Sequence, residues 1–268
     1  MPNTDESPDR SHLEWLEREI QAAVFRYRES RGCADYWRSP LVAVAGADDP
    51  LIGELPRIGD PEHSAPRDLL ASARSVIVFF IPFQKWVGEE NDASGFFAAQ
   101  SWAESYVATN DCIAAVNLHI EDCLRQAGHL AATTPATHNF DEKKLISKWS
   151  HKHLAYAAGL GTFGQNRLLI TEAGCCGRLG SLVTSMDLPP SRRPPREFCL
   201  LKAGRRCSAC VSKCVYGALG EDGFDRHACY RQLLANDAYY SDLPLVDVCG
   251  KCACGVPCSY GVPALPQP

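Results

Sequence analysis

No apolar run in the 268-residue chain is long enough to cross a bilayer: the best candidate, Val76 to Pro82, falls far short of the roughly 20 residues required. The stretch from Met1 to Arg10 is polar and acidic, without the apolar segment that opens a secretory leader. Excess positive charge is also lacking. With a net charge of −5 and a pI near 5.9, the chain has no global electrostatic footprint for nucleic acid or an anionic membrane. Two phosphate-binding signatures are missing, the G-x-x-x-x-G-K-[ST] loop and a strand followed by G-x-G-x-x-G. Internal repeats and low-complexity tracts do not occur. These absences predict a cytoplasmic protein with no membrane partner.

Cysteine is present in excess. The chain has 14, and nine of them fall within its last seventy residues. Without a secretory signal they do not read as a disulfide framework, because the cytosol keeps thiols reduced. Eight form two interlocking sets, Cys199…Cys207-x2-Cys210-x3-Cys214 and Cys229…Cys249-x2-Cys252-x5-Cys258. Four thiolates hold one cubane, so eight match two [4Fe–4S] clusters, and in two-cluster ferredoxins the last cysteine of a run serves the other cluster. On that pattern Cys199, Cys207, Cys210 and Cys258 hold one cluster, and Cys214, Cys229, Cys249 and Cys252 hold its neighbour. Zinc fits the spacing less well. A zinc ribbon separates its two C-x2-C knuckles by about 15–20 residues, whereas 38 lie between Cys210 and Cys249. The ninth cysteine, Cys254, could replace Cys252 through its C-x3-C step to Cys258, but the C-G-K-C knuckle makes Cys249 and Cys252 the better pair and leaves Cys254 outside both sets. Cys33, Cys112 and Cys123 read as small core hydrophobes.

The rest of the chain alternates helical and strand-like patterns. Ser11-His12-Leu13-Glu14 reads as a capping box, opening a helix with Leu13, Leu16, Ile20, Val24 and Tyr27 on one face. Leu41 to Ala45 and Ser75 to Ile81 are continuous apolar runs typical of strands buried on both faces. A helical stretch from Ser94 to Gly128 is expected to break near Thr109-Asn110 and to stop at Gly128. Leu168 to Thr171 and Leu179 to Met186 read as strands. The expected organisation is an α/β sandwich over residues 1–186, with a Pro-rich connector at 187–198. A two-cluster module at 199–260 and a tail at 261–268 follow.

One segment begins Ser150-His151-Lys152-His153 and runs through Ala157-Ala158-Gly159-Leu160-Gly161-Thr162-Phe163-Gly164 to the strand-like Arg167–Thr171 and Gly180–Thr184. A second is the cysteine module, with Gly217-Ala218-Leu219 after Cys214. Together they resemble the epoxyqueuosine reductase superfamily, in which an AAGLG-x-x-G stretch precedes a two-cluster ferredoxin module. The resemblance covers about residues 40 to 260. It is nearest to short paralogues with an S-H-[KR]-H-x3-AAGLGTFG signature and a C-G-x-C-x3-VPC ending. It implies a nitroreductase-like α+β or α/β sandwich, related to the human cobalamin-processing chaperone, followed by a bacterial-ferredoxin-like module. It also implies a base-off cobalamin beside the nearer cluster and an external electron donor (ferredoxin, flavodoxin or a reductase). A small molecule would be the substrate. The chain departs from the pattern where those reductases carry an Asp-Ser-x-Pro stretch, since Leu145-Ile146-Ser147-Lys148-Trp149 holds no aspartate. Only ten residues follow Cys258, too few for the helical-repeat extension that helps to hold transfer RNA. Both departures argue against tRNA as substrate. The alternatives are an electron-transfer protein without a corrinoid and a corrinoid-reducing chaperone.

The matching stretch supplies further candidates. His151 and His153 are the nearest titratable replacements for the missing aspartate, with His153 closer to the glycine turn and helix capping as the plainer role. Gly159, Gly161 and Gly164 suit either a helix stop or a close backbone approach to a cofactor. Cys175 and Cys176, in Gly174-Cys175-Cys176-Gly177-Arg178, sit either in a hairpin turn or against a planar cofactor. Arg192, Arg193 and Arg196 in the connector face solvent or an acidic partner.

Overall fold

A computed structural model describes residues 8–135 and 140–264. The leader-free start expected at residues 1–7 and the tail beyond 264 lie outside the described residues. Helix α1 spans Pro8–Arg31, so it begins before the Ser11–Glu14 box. Pro8 suits a first turn, having a preset φ and no amide hydrogen to leave unpaired. The expected apolar face holds, because Leu16, Ile20 and Val24 are buried and Leu13 and Tyr27 pack beside them.

Strands β1 (Leu41–Gly46) and β2 (Ser75–Pro82) pair antiparallel, with Val78 opposite Ala43. Helix α2 (Lys85–Ala93), helix α3 (Gln100–Gln126) and the short strand β3 (Ala131–Thr133) follow. After helix α4 (His151–Ala157), strands β4 (Gly161–Phe163) and β5 (Leu169–Thr171) form a small hairpin. Strand β6 (Gly177–Thr184) then completes the main sheet, whose order is β1-β2-β6-β3 with every neighbour antiparallel.

The unbroken apolar run of β2 has a simple cause, since both faces of the sheet are covered. Ile77, Phe79 and Ile81 meet Ile113, Val116 and Ile120 of α3, together with α1. Val76, Val78 and Phe80 meet Leu154, Ala155 and Ala158 of the α4 segment. With a side-chain period of two, a strand between two helical layers needs apolar residues at every position. Its continuous run therefore reflects layering, with no parallel pairing.

The expected break at Thr109-Asn110 is absent, and α3 runs straight through it. The Thr109 hydroxyl bonds back to the Ser105 carbonyl and accepts from Trp37 Nε1 at 2.7 Å, so it is satisfied inside the helix. The interruption falls earlier, between α2 and α3. There Asn91 Oδ1 accepts from Ala99 N at 3.0 Å and Asn236 Oδ1 accepts from Ala98 N at 2.8 Å, capping α3 from outside its own sequence. Gly128 does mark the stop, at φ 85°.

The cysteine-rich segment contributes helix α5 (Arg226–Tyr239) and a short turn at Lys251–Ala253. It docks on the α2–α3 corner. Asn91 Nδ2 donates to the Cys249 carbonyl at 3.0 Å, and Tyr240 Oη donates to the Ala98 carbonyl at 2.6 Å. Among the described residues no helix is long and apolar enough to cross a membrane.

Candidate functional site

The eight cysteines separate into two groups. Burial and then Cys249 and Cys214 push the Cys229 thiol up to about 11. Cys252 is raised by burial and by Cys249, Cys229 and Cys214, and Cys249 by burial and Cys214. Every pair within Cys214, Cys229, Cys249 and Cys252 thus lies within range of charge interaction. In the other group, burial and then Cys199 and Cys207 push Cys210 up to about 11, and Cys258, raised first by Cys175 and by burial, also responds to Cys199 and Cys210. Cys199, Cys207, Cys210 and Cys258 line a single cleft. Cys254 is fully buried, beside Cys176 at 3.9 Å and Asn91 Nδ2 at 3.4 Å.

The spread of each group suits a cluster better than a single ion. Zinc at about 2.3 Å from each sulfur would draw four sulfurs to ~3.8 Å of one another. Among the described residues, the one trio of metal-donor atoms within 4.8 Å is Glu19, His119 and Cys123, remote from all eight. That trio is a hydrogen-bonded network, with Arg26 Nη2 2.9 Å from His119 Nε2 and Glu19 Oε2 2.7 Å from it. In a cubane each thiolate binds a different iron, so its four ligands stand further apart. Crowded buried thiolates repel one another, and a cationic iron–sulfur core supplies the charge that keeps them deprotonated.

The second group forms one wall of a cavity of about 480 Å³. Phe83, Cys175 and Arg178 from beside the sheet and Trp102 and Tyr106 of α3 line the same cavity. Arg178 lies 4.2 Å above the Tyr106 ring, whose hydroxyl donates to Asp247. Protein surrounds this guanidinium, and what surface it keeps faces the cavity; burial lowers its pKa while Tyr106 and Asp247 offset that. Three lining residues carry buried polar atoms without a partner, namely Trp102 Nε1, Arg178 Nε and Gln232 Oε1.

The remaining sequence candidates are placed differently. His151 Nδ1 lies 2.8 Å from Ser181 Oγ, and burial, the larger cause, with Arg178 lowers its pKa to about 4. His153 Nδ1 is 2.7 Å from Ser150 Oγ, and its ring packs 5.0 Å from Phe163; burial and then Lys152 lower it to about 4. Neither imidazole lines the cavity, but Lys152 between them does.

The three glycines are filled by the protein itself. Gly159 ends α4 at φ 85°, where a Cβ would lie 2.7 Å from the Arg192 carbonyl oxygen. A Cβ at Gly161 would strike the Ile170 carbonyl, and one at Gly164 the Asn166 side chain. Cys175 lines the cavity, where its Sγ accepts from Asn166 Nδ2 at 3.7 Å and lies 3.8 Å from the Ala253 carbonyl. Its amide donates to the Cys258 carbonyl at 3.0 Å, so this loop fastens the C-terminal strap between the two cysteine groups. Arg193 pairs with Asp49 and the Ala157 carbonyl.

Sequence reasoning passed over Arg178, although it adjoins the Cys175-Cys176 loop, and over Asn166. The Asn166 amide donates to the Cys252 carbonyl at 3.2 Å, and its side chain borders both the cleft and the cavity. Lys152 was hidden by its position between two histidines that drew attention first.

Solved structures give the comparison. Epoxyqueuosine reductase from Bacillus subtilis, described with its catalytic loop swung out of the active site, superposes with a TM-score of 0.56 at 16% identity, covering 96% of this chain and 68% of that one. The Streptococcus thermophilus enzyme gives 0.53 at 16%, covering 93% and 68%. An epoxyqueuosine reductase in complex with a modified tRNA-Tyr stem loop gives 0.52 at 17%, covering 84% and 58%. The fold is that of the epoxyqueuosine reductases. No protein-family profile and no curated protein matches the sequence. In the epoxyqueuosine reductase fold, then, this chain sets a cysteine-rich segment against a sheet layer with a ligand-sized cavity between them.

Proposed function

We propose that this protein is an oxidoreductase holding two [4Fe–4S] clusters, which carry electrons from a soluble donor to a corrinoid in the cavity, where a small molecule is reduced. The observation that carries the proposal is the shared lining: Trp102, Tyr106 and Arg178 line the same cavity as Cys214, Cys229, Cys249 and Cys252. Electron transfer favours such adjacency. When bound, a corrinoid supplies a strongly reducing metal centre. The lining residues would hold it, with Phe83 and Trp102 excluding water and a protonated group kept nearby. We assign that last role to Lys152, which reaches the cavity where the two imidazoles do not. His151 and His153 then hold the start of α4 through Ser181 and Ser150.

Anaerobically reconstituted protein should contain about eight iron and eight sulfide per chain, from two four-cysteine sites. Added cob(II)alamin should take the base-off form in its electron paramagnetic spectrum, and Trp102→Phe should weaken its binding. One zinc with negligible sulfide would end the reading. Two clusters with an unchanged base-on spectrum would leave an electron-transfer protein.

A further inference from the structure

One side of the cavity has a charge pattern that the cysteines do not explain. Lys152, Arg167 and Arg226 all line it, and among the described residues none of the three has a carboxylate partner. Arg226 Nη1 reaches only the Lys144 carbonyl at 3.3 Å, and Lys152 Nζ only the Arg167 carbonyl at 3.5 Å. Of the nearby acids, Asp225 caps α5 through Ala228 N at 2.9 Å, Asp247 accepts from Tyr106, and Glu142 acts on Tyr230.

A second observation is independent of charge. Among the described residues only Leu145 and Arg167 are non-glycine residues with positive φ, at 54° and 62°, and both line this cavity. Each costs about 1–2 kcal/mol against an ordinary conformation, and such strain concentrates where a ligand is gripped. The surface beside the cations is apolar. Phe140 and Tyr230 meet edge to face at 5.9 Å, and Phe224 remains partly exposed.

We propose that Arg167, Arg226 and Lys152 form the binding site for the anionic group, a carboxylate or phosphate, of a small molecule whose apolar body rests on Phe140, Tyr230 and Phe224. This rests on the reductase reading in one respect, that the ligand is the molecule reduced in the cavity. Guanidinium groups bind planar carboxylates and phosphates through paired N–H donors. A reductase in a chain of net charge −5 would otherwise repel an acidic substrate.

The test uses cluster-loaded protein and three fluorine-labelled probes: 4-fluorobenzoate, 4-fluorophenyl phosphate and neutral 4-fluorobenzamide. Binding is read by fluorine magnetic resonance after iron and sulfide have been counted on the same sample. At least one anionic probe should bind about ten-fold or more tighter than the amide, and comparing acid with phosphate names the source. In Arg167→Gln/Arg226→Gln that preference should vanish, while Arg226→Lys should keep part of it. Equal binding of all three probes would overturn the site. So would a double variant that keeps the preference and shifts only the second cluster's reduction potential, because the cations would then serve to offset cluster charge. Anion preference in a sample without iron would sink the reductase reading and leave this site standing.

Discussion

Cys214 follows Cys210 by four residues, yet its interactions run to Cys229, Cys249 and Cys252. Its amide bonds to the Val211 carbonyl at 3.1 Å, a turn that carries the chain out of the first group. Cys214→Ala should therefore remove the second cluster and spare the first, so that reconstituted iron falls from about eight to about four per chain. Loss of the first cluster's spectrum would show that the crossover is wrong. Cys254→Ala should leave both clusters in place, since that thiol faces Cys176 and Asn91. The two histidines make a separate prediction. Both have folded-state pKa values near 4, below the ordinary 6.5, because burial disfavours the charged ring. An unfolded chain then binds more protons between those values, so stability present above pH 6.5 is lost as pH falls toward about 4. His151→Gln should flatten that acid limb in anaerobic thermal melts; an unchanged limb would place the sensitivity elsewhere.

At the scale of elements, the sequence was most readable where one rule decided the outcome. The apolar run of β2 and the stripe on α1 appear where periodicity put them, because burial alone selects those side chains. The capping of α3 was not readable, since its caps come from Asn91 and Asn236, one of them 137 residues beyond Ala99. For the same reason the cavity's cations were missed. Lys152, Arg167 and Arg226 come from three elements, and only the fold brings them together. The eight cysteines are the opposite case, because a ligand count and a chain spacing survive without knowledge of the fold. Asn91 is where the elements meet. It caps α3, donates to the Cys249 carbonyl and to Cys254 Sγ, and its carbonyl accepts from Lys251. Asn91→Leu would leave those buried groups unsatisfied, at about 1–3 kcal/mol each. A chelator should then strip the second cluster faster than the first, and equal rates for both would show that Asn91 does not brace the knuckle.

For the molecule as a whole, the proposed function would give electrons a direction. The second cysteine group lines the cavity, so an external donor would approach the first. Between Ser191 and Lys213 lie seven basic side chains and one acidic, although the chain's net charge is −5. Arg193 and Lys213 are paired with Asp49 and Asp92. Lys202, Arg205 and Arg206 stand exposed in the loop between Cys199 and Cys207, around the partly exposed Leu201. A rim of charge around an apolar centre is how transient partners are steered and then seated. An acidic flavin or iron–sulfur donor should therefore reduce the clusters at a rate that falls steeply as salt is raised past the Debye length of ~8 Å at 0.15 M. Replacing Lys202, Arg205 and Arg206 together by Gln should slow that reduction by roughly ten-fold or more at low salt. Reduction by the small cation methyl viologen should be left unchanged, since it needs no docked orientation. If both donors slow equally, the loop is supporting the first cluster instead of receiving a partner. If neither slows, electrons arrive at another face.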